Sequence, residues 1–447
     1  MLSRAIHVSI RQPYVFSKRL TSVGPWLSPV TGKRQLTSDE NTGVDKRTYP
    51  IAFQSLLMGM AMGVSAPVMP VFASAIGINT LEYGMMTSMM GWTRLIMNVP
   101  AAWATDHFGR KPLLISGPLI ATIAMTGTAT ANSYSQMMLW RLMLGMGESF
   151  QMSGAQTSLT DLSTAKNRAR TIAPMQMCWS AGMALGPILG GYLGDYLSSR
   201  QTLGVAGLII SMAAFSNWKW CVETKSIVIN NSNQNKHKTT TTTTLQIIGQ
   251  WLHDCKPLLQ NANIRAAIYL QFLLSFMSSG IIFTVMPMYA VNELALTSSK
   301  LGMIFGGMAF INVILSQPMA WLNDKIDRKS IVLPSIFLLS IPVCALPFLH
   351  TFQQLALSSF FWSVARCALR TTPIAYVADQ CQHQSTLLPL SQSRALALLR
   401  SAGDVGTILG AGACGALAHF YSFELASTCT VICLVLGGCN FAWKPAR

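Results

Sequence analysis

From Pro50 to Trp443 this chain repeats one pattern: apolar runs long enough to cross a bilayer, separated by short polar gaps rich in Lys and Arg. A helix rises 1.5 Å per residue, so about 20 apolar residues cover the hydrocarbon core. Only structures that satisfy their own backbone hydrogen bonds survive there. We read helices over residues 50–77, 83–105, 112–131, 135–159, 171–196 and 201–217, and again over 264–291, 299–322, 330–349, 353–378, 393–420 and 423–443. Composition bears on the same point, because charged residues are only 11% of the 447 positions, where soluble domains carry about 25%. The net charge of +16 is spread over the gaps and forms no stripe, so no nucleic-acid partner is expected. The ten cysteines lie mostly inside apolar runs and form no CxxC pair, so neither a disulfide framework nor a metal site is expected, and no cofactor.

Charge bias orients the chain. Arg110, Lys111, Lys166, Arg168, Arg170, Lys325, Arg328 and Lys329 fall on one side, while the opposite gaps hold little beyond Arg200 and Lys300. By the positive-inside rule the basic side faces the cytosol or an organellar matrix, and both termini lie there. Residues 1–48 form a basic leader, with Arg4, Arg11, Lys18, Arg19, Lys33 and Arg34 ahead of the first acid, Asp39. This composition fits a transit peptide for a mitochondrial inner or plastid membrane; a plain cytosolic tail of a plasma-membrane protein is the alternative. Residues 49–217 make a first six-helix bundle and 264–447 a second. Between them, residues 218–263, with Asn230, Asn231, Asn233, Asn235 and the run Thr239 to Thr244, bury too little apolar surface to fold alone and read as a linker.

The two halves are related. At an offset of 218, Gly84 aligns with Gly302, Met90 with Met308, Pro100 with Pro318, Trp103 with Trp321, Asp106 with Asp324, Arg110 with Arg328, Lys111 with Lys329 and Asp161 with Asp379. Asp, Arg, Trp and Pro are scarce in apolar sequence, so shared hydrophobicity does not produce this pattern. It predicts an all-α membrane protein whose 12 transmembrane helices form two six-helix pseudo-repeats, one of the plans of secondary transporters. Asp106-His107-Phe108-Gly109-Arg110-Lys111 resembles the loop signature of the major facilitator superfamily, and the resemblance covers residues 50 to 443. The second copy, Asp324-Lys325-Ile326-Asp327-Arg328-Lys329, has Asp327 where Gly is usual, and the first has Ala102 where a Gly is usual.

The resemblance assigns roles. The loop residues, with Asp161 and Asp379 at the same face, are expected to act as a conformational latch, Arg110 reaching both Asp106 and Asp161 and holding best while the basic-side mouth is closed. The alternative is that they only set topology. Gly182, Gly186, Pro187, Gly190 and Gly191 resemble the fifth-helix signature of exporters and antiporters; glycines at four-residue spacing let helices approach and proline permits a bend. The fourth and tenth helices line the cavity in this family, so Arg141, Glu148, Arg366 and Arg370 are the expected cavity and coupling residues. Glu148 is matched by Arg366 in the repeat, so the two are candidates to face each other. Arg400 and Asp404, four apart on the eleventh helix, read as a self-neutralising pair. Arg94 has no counterion visible in sequence. The methionines, lacking Cys or His at ligand spacing, read as adaptable packing.

The expected function is secondary active transport of a small organic molecule by alternating access, coupled to protons in the manner of drug:proton antiporter-like members, with a monomer in the bilayer. An organic anion carrier or uniporter is the alternative. A membrane sensor or assembly protein that no longer transports is an alternative of another class. No nucleotide loop, metal cluster or nucleophile elbow suggests an enzyme.

Overall fold

A computed structural model describes residues 45–163, 167–224, 259–326, 328–383 and 389–443. Nearly all of the basic leader and residues 225–258 of the expected linker lie outside the described residues, as does Asp327.

The described chain is helical. The first six helices are α1 (Tyr49–Ala75), α2 (Thr80–Phe108), α3 (Arg110–Thr130), α4 (Tyr134–Asp161), α5 (Arg168–Tyr196) and α6 (Ser199–Trp220). The second six are α7 (Ala262–Asn292), α8 (Ser298–Lys325), α9 (Arg328–Ala345), α10 (Phe352–His383), α11 (Pro389–Phe420) and α12 (Phe423–Trp443). Local chemistry sets several starts earlier than apolarity alone suggests. Asn79 and Glu82 form a reciprocal capping box at α2, with Glu82 N donating to Asn79 Oδ1 at 2.9 Å and Asn79 N to Glu82 Oε2 at 3.0 Å. Ser198 and Gln201 do the same for α6; such boxes satisfy amides that the first turn leaves orphaned. Gly109 separates α2 from α3 at φ 104°, a left-handed angle that disfavours any side chain.

Two large cores form, one in each half, and the first half holds a smaller third cluster around Leu114 and Leu159. One gathers Met58, Val64, Met125, Leu144 and Ile210 from α1, α3, α4 and α6; the other gathers Leu270, Ile281, Ile336, Leu369 and Leu434 from α7, α9, α10 and α12. The halves meet mainly through α2 against α11 and α5 against α8, pairs that the repeat interchanges. Six helices (α1, α3, α7, α8, α9 and α12) are apolar enough by themselves to cross a membrane. The other six carry the polar groups: mid-span charges on α2, α4, α10 and α11, the Gly/Pro face on α5, and buried Ser216 and Asn217 on α6. Polar residues inside a membrane protein turn toward the bundle or a wet cavity, so these helices turn their polar faces inward, and the chain is an integral, multi-pass membrane protein.

Candidate functional site

The contacts between the halves cluster at the end away from the basic loops. Ser88 Oγ donates to the Ile408 carbonyl at 2.7 Å, Ser299 N donates to Asp195 Oδ1 at 3.2 Å, and Ser74 Oγ donates to Asn292 Oδ1 at 3.0 Å. A Cβ placed on Gly84 would strike the Ala411 carbonyl, and one on Gly191 would strike Ser298 and Gly302. Toward the basic face the same helices come away from their partners. Asn98 and Ala102, which continue the Gly84–Ser88–Gly91 face of α2, and Val313 and Gln317, which continue the Gly302–Gly306 face of α8, are all exposed. The structure is therefore sealed at one end and open toward the basic face.

The five glycine-motif residues act on two surfaces. Cβ atoms at Gly182, Gly186 and Gly190 would fall on Leu56, Met60, Gly63 and Val64 of α1, so this face lets α1 and α5 touch along their backbones. Gly191 and the Pro187 carbonyl instead meet α8 at Gly302. In α11, Gly406 and Gly410 repeat the arrangement against Phe272 and Phe276 of α7, without the proline.

Of the loop residues, Arg110 is held most completely. Its Nε donates to Asp161 Oδ2 at 2.8 Å, whereas Asp106 Oδ1 stands 3.8 Å from Arg110 Nη1. The Arg110 and Asp161 side chains are 9% and 10% exposed against 77% for Asp106, so Asp161 is the stronger partner in the drier place. A residue that the sequence did not flag completes the site. Glu223, just past α6, accepts from Arg110 N at 3.0 Å and Lys111 N at 2.9 Å. Its carboxylate caps the amides at the start of α3, as an acid at a helix N-terminus does. Next to it, Thr224 Oγ1 donates to Asp161 Oδ2 at 3.0 Å. The Arg110–Asp161 bond is thus formed in this structure. Glu223 and Thr224 shield it, and all its partners belong to one half of the molecule. In the second copy, Asp324 lies near the end of α8, Arg328 and Lys329 open α9, and Asp379 lies in the last turns of α10.

At mid-membrane the structure supplies the missing partner of Arg94. Its Nη1 lies 3.7 Å from Glu148 Oε2 across the α2–α4 seam. Arg141 is the second cation acting on Glu148; its Nη1 also reaches Met90 Sδ at 3.9 Å, and its Nε is buried without a partner. Glu148 does not pair with Arg366. Arg366 instead donates from Nε to Ser278 Oγ on α7 at 3.1 Å and has Arg370 as its charged neighbour. Each is held by a neighbouring helix of its own half, so symmetry in sequence does not make them partners. Arg400 and Asp404 also form no close ion pair; Asp404 lies within the field of both Arg400 and Arg94. Four apart on one helix is a permissive spacing and does not by itself make an ion pair. A further feature without a sequence signal is the π-helical stretch Ser278–Val285 inside α7, a form that recurs at functional sites.

Comparison with known proteins places this geometry. The family model of the Major Facilitator Superfamily matches residues 51–255 and 268–447. The quinolone resistance protein NorA of Staphylococcus aureus is 23% identical over 166 residues, 37% of this chain and 42% of that protein, so the match spans about two fifths of the relative's length. An uncharacterised MFS-type transporter of Methanocaldococcus jannaschii is 20% identical over 377 residues, 84% of this chain and 92% of that one. Among solved structures, a bacterial homologue of the human lysosomal transporter Spinster, inward-facing and unoccupied, superimposes with a TM-score of 0.69 at 13% identity, covering 90% of this chain and 98% of that one. The nucleoside transporter NupG gives 0.66 at 13% identity, covering 90% and 100%. The human organic anion transporter MFSD10 gives 0.58 at 16% identity, covering 89% and 99%.

Proposed function

The chain belongs to the Major Facilitator Superfamily, a family of secondary transporters of small molecules, and on that premise we propose that it moves a small organic molecule by alternating access in exchange for protons. The observation that carries this reading is the pair of half-molecules sealed at one end, parted at the other, and furnished at mid-depth with the Arg94–Glu148 ion pair. Antiport is further supported by the fifth-helix glycines and by the partial match to NorA.

Coupling needs an acid whose proton affinity changes as the protein changes state. Glu148 fits. At 3.7 Å its contact with Arg94 is an ion pair without a tight hydrogen bond, so protonation of Glu148 removes the attraction and frees the guanidinium. The carboxylate then left to Arg94 is Asp404 on α11, whose charge it already acts on. The arginine thus shifts its attachment from an acid of its own half to an acid of the other, across the α2–α11 seam that must open and close. Proton binding on one side of the membrane and release on the other would then bias the two states in turn. The loop site serves as the latch: Asp106, Gly109, Arg110, Lys111 and Asp161, with the second set Asp324, Arg328, Lys329 and Asp379, hold the basic ends of their helices in register while the halves rock.

Residues 1–48 address the protein to an organellar membrane. Purified protein in liposomes with an imposed pH gradient tests the transport reading: uptake or efflux of a compound that follows the gradient and collapses when a protonophore is added is the expected result. Flux indifferent to the gradient would leave a uniporter, and no flux across a panel of cations, anions and neutral amphiphiles would favour a protein that no longer transports.

A further inference from the structure

Arg366 and Arg370 stand one turn apart on α10, the spacing that puts side chains on one face, and like charges so placed repel. Elsewhere at mid-depth each arginine has an acid within its field: Arg94 has Glu148 and Asp404, Arg141 has Glu148, and Arg400 has Asp404. The charged neighbour of Arg366 is instead Arg370 and no acid, and no carboxylate of the described residues lies within ion-pair distance of either. The protein contact of Arg366 is the bond from Nε to Ser278 Oγ. Ser278 opens the π-helical stretch of α7, so this irregular turn meets α10 at the arginine pair. Using Nε in that way fixes the plane of the guanidinium and leaves its two terminal nitrogens side by side, the edge that binds a carboxylate, sulfonate or phosphate through two parallel hydrogen bonds.

The asymmetry between the halves sharpens the point. The residues matching Arg366 and Arg370 in the first half are Glu148 and Met152; there the acid is compensated, whereas the second half presents two uncompensated cations. A bare arginine pair is tolerable while the basic-side mouth admits water. When the mouth closes and water leaves, unpaired charge becomes costly.

We propose that Arg366, Arg370 and Ser278 form an anion subsite, so that the transported molecule is an organic anion whose charged head docks on α10 and whose presence permits the halves to close. This rests on the transporter reading and names the substrate class of that site. A ligand that neutralises the pair removes the electrostatic cost of closure, which ties the conformational change to occupancy.

The test uses the purified full-length protein and a head-group series on one ring: benzenesulfonate and phenyl phosphate as anions, benzylamine as cation, benzyl alcohol as neutral. Saturable rises in melting temperature with the anions are expected, together with exchange of labelled benzenesulfonate in proteoliposomes. R366Q and R370Q should weaken the anion response by roughly tenfold or more, as loss of a charge-assisted hydrogen bond does. R370Q without ligand should melt at or above the wild-type temperature, because one of two repelling charges is gone, whereas R366Q also gives up the bond to Ser278 Oγ; a merely structural Arg370 would lower it. R366K keeps the charge without the planar fork and should fall between. A cation or neutral compound that stabilises or exchanges as well as the anions, or an anion response unchanged in both Gln variants, overturns the subsite while leaving a transporter of another substrate class. No binding or exchange with any of the four compounds overturns the subsite and counts against the transport reading as well.

Discussion

Arg110 shows how one side chain organises a membrane-surface site. Its guanidinium is bound by Asp161, and the amide of Arg110 with that of Lys111 is bound by Glu223. Replacing Asp161 by Asn leaves a buried arginine short of its counterion, a change that costs about 3 kcal/mol or more. We expect D161N to lower the melting temperature and the transport rate together, and a double-mutant cycle with R110A to be non-additive, since each single change already breaks the bond. Simple additivity would separate the two residues. Glu223→Ala strips two amides at the start of α3 of their acceptor, which costs about 1–3 kcal/mol; a melting temperature equal to wild type would show that water replaces it. The loop signature was legible because Asp, Gly and Arg at fixed spacing stand out in apolar sequence. Glu223 was not, since it sits at the head of a polar stretch that reads as linker. The partner of Arg94 was equally hidden: Glu148 is on another helix, and only the packing of α2 on α4 brings them together.

At the scale of the helices, the glycine motif divides into a seam within one half and a seam between the halves. Gly186 lies backbone to backbone against Met60 and Gly63 of α1, inside one half, while Gly191 abuts Gly302 of α8, across the halves. Overpacking a close seam costs about 1–3 kcal/mol. Gly186→Val should therefore reduce the yield of folded protein, whereas Gly191→Val should fold and shift the equilibrium away from the basic-face-open state. Thiol labelling of cysteines placed at exposed Asn98 and Val313, read in each variant, checks this: labelling should fall in G191V relative to wild type, and equal labelling would mean that the α5–α8 contact does not set the state. The spacing of the glycines was readable from the chain, but which helix each face meets was not, because small residues pack against any neighbour. The same limit applies to the π-helical stretch of α7, whose apolar sequence carries no mark of its wider turn.

At the scale of the whole molecule, two helix-bundle halves with separate cores touch through repeat-related pairs at one end, which is the architecture of a rocker. The twelve-helix plan was legible in the chain because the repeat preserves rare residues; the state was not, because opening depends on contacts that any single sequence can make in turn. Cross-linking S74C to N292C, positions whose native side chains are hydrogen-bonded at the sealed end, should stop turnover and restore it when a cleavable linker is cut. Full turnover with the link in place would mean that this end never parts. A fluorescent reporter fused to residues 1–48 should collect in an organelle; diffuse cytosolic signal with the full chain at the cell surface would return the leader to a plain tail.

The account turns on Glu148 as the group that joins proton movement to the exchange of partners by Arg94. E148Q keeps the size of the side chain and removes its titration, and the decisive measurement compares this variant with wild type in proteoliposomes for two fluxes of the same labelled substrate. Accumulation driven by a pH difference alone should be lost in E148Q, while exchange at equal substrate concentration and equal pH on both sides should persist near the wild-type rate. Accumulation by E148Q under a pH difference alone would contradict the account and leave Glu148 as a structural partner of Arg94.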